Sequence, residues 1–554
     1  LFFRLSLVAV FWLPLAQASN LQPPAAAIAS AHPLATNAGM EVLARGGNAF
    51  DAAVAVSAVL AVVEPMGSGL GGGGFWLLHR QQDQLQVMID GREQAPLKAR
   101  PDMYLDQNGV PVPGLSLNGA LAAGIPGVPA ALDHITRKYG RLTLAQNLAP
   151  AIRLARDGFP IYERYRQLAE FRLESLSASP AAAAAFLDQG FVPEAGFQLK
   201  QPDLARTLER IAEKGRDGFY KGDTARKLVR DVRKAGGIWS KKDLRQYQVV
   251  ERKPIVARYH GARIISAPPP SSGGIVLSQS LGILEGLPLR QADAGLRKHY
   301  IIEAMRRGYR DRARYLGDSD FIKVDVDALT DKRYAQQLRK DITRRATPSK
   351  ALPDVDPRRL GTDTTHFSIL DRDGNRVAAT LSVNYPFGSA FMPAGTGVVL
   401  NNEMDDFSIK PGVGNVYGLV GNAANAIAPG KRPLSSMSPT FIETTDEVVV
   451  IGTPGGSRII SMVLLASLEF LEGRGKASDW VALKRYHHQY LPDVIQHEEG
   501  AFTRAEEKYL ADHGHELKPV NRSYGNMQAV VWYKKKNRVD AASDPRGEGL
   551  ATVQ

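Results

Sequence analysis

The chain has 554 residues, 44% hydrophobic and 23% charged, which is globular composition with ample length for a core. By length alone it holds roughly three to four domains. It has no cysteine, which excludes disulfides, thiolate metal sites and cysteine nucleophiles. Net charge is +12, yet no run of like charges reaches the length, about five or six, that marks an interaction tail. KKK at 534–536 and RRAT near 344 read as solvated faces.

Residues 1–20, LFFRLSLVAVFWLPLAQASN, read as an export signal. One arginine precedes an apolar run, and Pro14 precedes the small-residue site Ala16-Gln17-Ala18. The mature chain is expected to start near Ser19. Other apolar stretches, such as 52–63, are too short to span a bilayer. Residues 35–64 read as two helices, the first closing on a glycine pair. The second has Asp51 as its N-cap and stops at Pro65. Residues 67–74, GSGLGGGG, contain the G-x-G-x-x-G spacing of a dinucleotide site. That site needs a strand before it and a helix after it. Here a helix precedes and the apolar strand FWLL follows, so close backbone packing is the better account.

Residues 125–157 and 200–235 look helical, 265–274 is a loop, and 296–316 is a long amphipathic helix with basic residues outward. Residues 346–362 carry three prolines and read as a loop or linker. Strands then dominate: HFSIL, RVAATLSV, GTGVVL, EVVVIGT and MQAVVWY. Helical patterns recur at 457–472 and near 476–486. The order points to a layered α/β or α+β fold.

The segment DTTHFSIL, 363–370, begins a hairpin whose turn is DRDG at 371–374. Turn length fixes register, so position 364 faces roughly 381–383. Ser382 and Asn384, two apart, share a face beside it. A threonine hydroxyl is a poor nucleophile unless a base sits nearby. An N-terminal threonine carries its own base, an α-amine of pKa about 7.7–8.0. Making that terminus requires a cut between Asp363 and Thr364, after the Pro-rich loop. Spacing alone leaves an ordinary strand threonine equally open.

Residues 364–384 (TTHFSILDRDGNRVAATLSVN), 397–412 (GVVLNNEMDDFSIKPG), 430–439 (GKRPLSSMSP) and 452–459 (GTPGGSRI) resemble gamma-glutamyltranspeptidases. DGREQAP at 90–96 and SDPR at 543–546 extend the match in the family's order over nearly the whole exported chain. The resemblance implies an N-terminal-nucleophile hydrolase, a four-layer αββα sandwich. It implies a signal peptide at 1–18, a large subunit at 19–363 and a small catalytic subunit at 364–554, paired as a heterodimer. The precursor would cut itself, the Thr364 hydroxyl attacking the Asp363 carbonyl.

Carried over by motif, Thr364 is also the nucleophile toward γ-glutamyl amides such as glutathione, with water, amino acids or dipeptides as acceptors. The successive N–H groups of Gly455 and Gly456 match the oxyanion hole. Arg92 matches the arginine that grips the donor's α-carboxylate, and Ser435 and Ser436 add hydrogen bonds there. Glu403 and Asp406 match the acidic pair that holds the α-ammonium. Asn384 matches the asparagine near the nucleophile, and Ser382 keeps a hydroxyl where many members have threonine. Asn402 is a further candidate beside the acidic pair. Residues 411–432 resemble the lid of bacterial members, with Tyr417 as its gate.

The resemblance implies no cofactor and no metal. It implies neither nucleic acid nor a membrane span in the mature form, and a periplasmic or secreted location. His487, His488 and His497 lack H-E-x-x-H spacing, and no G-x-S-x-G elbow occurs. The rivals are a glutaryl or cephalosporin acylase of the same superfamily and an inactive exported binding protein. The acylase substrate lacks an α-ammonium, which leaves Glu403 and Asp406 without a purpose. The intact Thr364, Gly455, Gly456 and Arg92 count against the binding protein.

Overall fold

A computed structural model describes residues 21–349, 364–410 and 412–554. Residues 1–20, expected to be an export signal, Asp363 and most of the 346–362 loop lie outside the described residues. Two antiparallel sheets form the centre. One runs Leu550–Val553, Ala27–Ser30, Thr365–Leu370, Arg376–Ser382, Gly73–Arg80, Leu85–Asp90, Val250–Arg252. The other runs Arg538–Ser543, Gln528–Tyr533, Glu447–Gly452, Thr440–Glu443, Ala262–Ser266, Ile255–Tyr259.

Successive side chains of a strand point to opposite faces. In Gly73–Arg80, Trp76 and Leu78 join one core with the helix Ala49–Val63, which is buried along its whole length. Phe75 and Leu77 join a second core with the other sheet and the helices Gly273–Leu284, Ala294–Tyr315 and Ile459–Leu471. Both faces are covered, which is why these strands read as unbroken apolar runs. The layers are helix, sheet, sheet, helix: the expected αββα sandwich. Between the sheets, the Ser368 hydroxyl donates to the Gln528 carbonyl at 3.1 Å. His366 packs against Gly452, where a Cβ would collide with its ring. Burial pushes the His366 imidazole down to about 3, so it is neutral there.

Local chemistry corrects three expectations. Asn48, not Asp51, caps the helix Ala49–Val63. Asn48 Oδ1 accepts from the N–H groups of Phe50 and Asp51, while Asp51 answers from inside the first turn as a capping box. GTGVVL is not a strand; only Leu400 bridges to Gly71. The helix Ala294–Tyr315 does not keep its basic residues outward, because Arg306, Arg307 and Arg312 are buried. Glu303 neutralises the first two.

The glycine run is a packing device, as its sequence context implied. A Cβ on Gly71 would collide with the Val399 carbonyl, and one on Gly72 with the Ser382 carbonyl. The hairpin register also holds, with Leu381 opposite Thr365. Among the described residues, no helix is long and apolar enough to cross a membrane.

Candidate active site

Thr364 sits just ahead of the strand Thr365–Leu370 and lines a small cleft. Extending the register by one residue puts it opposite Ser382, and the two hydroxyl oxygens are 3.4 Å apart. Thr365 turns the other way and donates to Glu64 Oε2 at 2.7 Å. Ser382 Oγ accepts the Asn384 N–H at 2.7 Å. Asn384 lies beyond the strand end at φ +76°, in the left-handed region that asparagine tolerates better than most. Its carboxamide donates to the Asn402 carbonyl at 2.9 Å.

The cleft also has a charged part. Arg92 follows the strand Leu85–Asp90 and is fully buried. Its Nε donates to the Pro433 carbonyl at 3.2 Å, its Nη2 to Asp406 at 2.6 Å, and its Nη1 to Glu403. Glu93 lies 3.6 Å from the same guanidinium, so one cation faces three carboxylates. Neither Glu93 oxygen has a hydrogen-bond partner, nor does Glu403 Oε2 or the Ser436 hydroxyl, and all are buried. Buried polar atoms are rarely left so, and those of Glu403 and Ser436 line the cleft. Burial pushes the Glu403 carboxyl up to about 7, with Asp406 adding and Arg92 opposing. Burial, reinforced by Glu403, lifts Glu93 well above the usual carboxylate range.

Ser435 Oγ accepts the Met437 N–H at 3.1 Å, and the Ser435 carbonyl accepts the Ser272 hydroxyl at 2.8 Å. Arg312 Nε donates to that Ser272 hydroxyl at 3.0 Å. Burial lowers the Arg312 guanidinium to about 10. Gly455 and Gly456 have φ of +142° and +56°. A Cβ on Gly456 would run into the Tyr417 ring, whose hydroxyl donates to the Asn384 carbonyl.

The cleft thus gathers Arg92, Thr364, Ser382, Asn384, Glu403, Asp406, Tyr417, Ser435, Ser436 and Gly456. Gly455 and Asn402 are not among its lining residues. The Asn402 carboxamide is spent on backbone, donating to the Leu117 carbonyl at 2.8 Å and accepting the Tyr385 N–H at 3.1 Å. Sequence reasoning missed Glu93, although it adjoins Arg92 in DGREQAP, because nothing local shows that its carboxylate is buried. It also missed Arg312, which the helical pattern placed outward.

The histidines flagged by sequence are engaged elsewhere. His487 meets the Ser461 hydroxyl at 2.7 Å and Gln489 at 2.9 Å, His488 meets Asp493 at 3.1 Å, and His497 meets the Glu498 carbonyl at 3.1 Å. One group among the described residues has metal-ligand spacing, His299, Glu303 and His515. Its histidines bond each other at 2.8 Å, His299 also bonds the Thr343 carbonyl at 2.8 Å, and Glu303 is taken by Arg306 and Arg307.

Residues 35–553 match the family model described as gamma-glutamyltranspeptidase. The glutathione hydrolase proenzyme of Pseudomonas sp. strain A14 is 42% identical over 537 residues, 95% of this chain and 93% of that one. The glutathione hydrolase proenzyme of Escherichia coli K12 is 41% identical over 528 residues, 94% of this chain and 90% of that one. Among solved structures, a cephalosporin acylase from Bacillus halodurans superposes with a TM-score of 0.84 at 25% identity, over 99% of both chains. The gamma-glutamyltranspeptidase of Helicobacter pylori matches with a TM-score of 0.55 at 42% identity, over 57% of this chain and 90% of that one. The family match spans nearly all of the chain that carries the cleft, and the chain belongs to the gamma-glutamyltranspeptidase family.

Proposed function

We propose that the chain is a self-processing γ-glutamyltransferase and hydrolase with Thr364 as nucleophile. The observation that carries this is the distribution of groups in one cleft. The Thr364 hydroxyl and a guanidinium paired with two carboxylates line the same cleft. An export signal at 1–18, a large subunit at 19–363 and a small subunit at 364–554 belong to the same proposal. So does a periplasmic or secreted location. The strands of the two parts alternate: Thr365–Leu370 and Arg376–Ser382 lie between Ala27–Ser30 and Gly73–Arg80. Cutting before Thr364 therefore leaves both parts in one hydrogen-bonded sheet.

In the cut, Thr364 Oγ attacks the Asp363 carbonyl, the acyl group moves from nitrogen to oxygen, and water hydrolyses the ester. The freed α-amine then serves as base. A donor such as glutathione, for which the relatives above are named, brings an α-carboxylate and an α-ammonium. Without it, Arg92 pairs with Glu403 and Asp406. The zwitterion inserts between them: its carboxylate takes Arg92 and Ser436, its ammonium takes Glu403 and Asp406. One internal ion pair becomes two, with no net charge buried. Thr364 Oγ adds to the γ-carbonyl carbon and its proton passes to the α-amine. The oxyanion faces the Gly455 and Gly456 N–H groups, and the amine leaves with that proton. Water or an acceptor amine releases the glutamyl group.

The test separates this from the acylase reading. A γ-glutamyl anilide and a glutaryl anilide differ only by the α-ammonium. Losing the partner of a buried charge costs about 2–5 kcal/mol. The γ-glutamyl substrate should therefore be turned over roughly 30- to 5,000-fold faster in kcat/KM. Equal rates, or a preference for glutaryl, sink the proposal.

The acid limb of the pH profile is a second expected result. Glu403 keeps its proton until pH approaches about 7, because burial disfavours the carboxylate. A protonated Glu403 cannot pair with an ammonium. Donor kcat/KM should rise with pH through that range. Glu403→Gln should remove the limb and lower the plateau, leaving only the later titration of the α-amine at about 7.7–8.0. An unchanged limb in this variant refutes the assignment.

A further inference from the structure

Of the two aspartates in NNEMDD, only Asp406 lines the cleft. Asp405 is buried and is not among the residues that line the cleft. Its Oδ1 accepts the Ser116 hydroxyl at 2.7 Å, and its Oδ2 accepts the Val416 N–H at 2.8 Å. Ser116 belongs to the proposed large subunit, Asp405 to the wall that carries Glu403, and Val416 to the lid. One carboxylate thus ties three distant pieces of chain together.

The lid residues it holds sit at the centre of the closed arrangement. Val416 and Tyr417 are buried in a small apolar cluster with Leu117, against which Tyr385 and Leu419 pack. Tyr417 lies over Gly456, and its hydroxyl reaches the Asn384 carbonyl. The neighbouring Asn415 organises the lid turn, its Oδ1 accepting the N–H groups of Tyr417 at 3.0 Å and Leu419 at 3.1 Å. Asn415 Nδ2 in turn donates to Asp406 Oδ1 at 2.9 Å. Adjacent carboxylates therefore bind adjacent lid residues, but only one of them also meets the substrate space.

We propose that the aspartate pair divides its work: Asp406 serves the donor ammonium, and Asp405 is a positioning residue that latches the lid over the cleft through the Val416 N–H and the Ser116 hydroxyl. The donor half of this statement rests on the function proposed above; the latch does not. Hydrogen bonds from neutral donors to a carboxylate are stronger than neutral pairs. Two of them on a buried carboxylate favour the closed lid over the open one. Tyr417 is then in place before the donor arrives, and its position costs the donor no binding energy.

The test uses the full-length processed protein, with amide hydrogen exchange over 412–421 read beside donor kinetics on a γ-glutamyl anilide. Asp405→Ala removes both bonds, and exchange of the lid amides should speed up about tenfold or more. Donor KM should rise by a similar factor while kcat stays within about threefold. Asp405→Asn is the conservative rescue. Its carboxamide oxygen can accept the Val416 N–H while its NH₂ donates to Ser116 Oγ, so exchange and KM should both lie clearly closer to wild type than in Asp405→Ala, short of it only by the lost charge assistance. Ser116→Ala removes one bond and should fall between, and it supplies the reading if Asp405→Ala does not fold. Unchanged lid exchange in Asp405→Ala, or in Ser116→Ala if that is the variant in hand, overturns the latch. So does Asp405→Asn with the same defect as Asp405→Ala, since the two hydrogen bonds it can still make would then contribute nothing. If the wild type turns over no γ-glutamyl donor, the functional reading fails while the exchange data still judge the latch.

Discussion

Thr364→Ala is expected to run as one uncut chain and to release no measurable γ-glutamyl product. The variant removes the single oxygen that both steps require. Its methyl still fits beside Ser382 and Asn384, so the fold should survive, and the circular-dichroism spectrum should match that of the wild type. Removal of a nucleophile from a concerted set typically costs on the order of 10⁴–10⁶ in kcat. The wild type should give two fragments that separate only under denaturing conditions, because their strands alternate in one sheet. Sequencing the smaller fragment should read TTHFSIL from its first cycle. Thr364→Ser keeps an oxygen and should cut and turn over, more slowly than wild type. Ser382 is the obvious substitute nucleophile, 3.4 Å away, but it sits mid-chain and has no α-amine to serve as its base. Efficient cutting in Thr364→Ala would remove Thr364 from the mechanism.

The hairpin shows what sequence resolves well. DRDG fixes the loop, the loop fixes the register, and the register alone sets Thr364 against Ser382. The glycine run was legible for a related reason, since both of its flanking elements are strongly patterned. Other features depend on residues far away in the chain. Arg306 and Arg307 look like a solvated helix face until Glu303 and the 341–347 segment close over them. Asn48 and Asp51 are both good caps, and only the fold shows which one stands outside the first turn. GTGVVL has strand composition but gains only a bridge, because Thr396 bonds its own loop and Gly397 is pressed against Leu204. In the site, the motifs identified the Arg92, Glu403 and Asp406 positions. That they form one buried cluster with Glu93, and that Asp405 serves the lid instead, is a matter of side-chain direction that no local pattern encodes.

Arg92→Met should produce the second large effect, in binding and stability together. The side chain is fully buried and, among the described residues, supplies the only guanidinium bonded to Glu403 and Asp406. Methionine is of similar length and leaves little cavity, so the loss is electrostatic. Glu93, Glu403 and Asp406 are then three clustered carboxylates without their cation. Removing one partner of a buried ion pair costs about 3–5 kcal/mol. The Glu93 and Glu403 carboxyls escape that cost by holding protons, which raises their folded-state affinity for protons further above the unfolded value. A group with a raised carboxyl pKa destabilises the fold as pH climbs above its unfolded value, near 4.5 for the glutamates. The stability gap between variant and wild type should therefore be small near pH 4.5 and widen toward pH 8. Thermal unfolding at both pH values reads this directly. Donor KM should rise at least about 10²-fold, because the α-carboxylate loses its charged partner and its bidentate geometry. Arg92→Lys restores the charge without the planar fork, so it should recover most of the stability and only part of the KM. A wild-type KM in Arg92→Met would show that the donor carboxylate is held elsewhere, with Arg312 the next buried guanidinium to test.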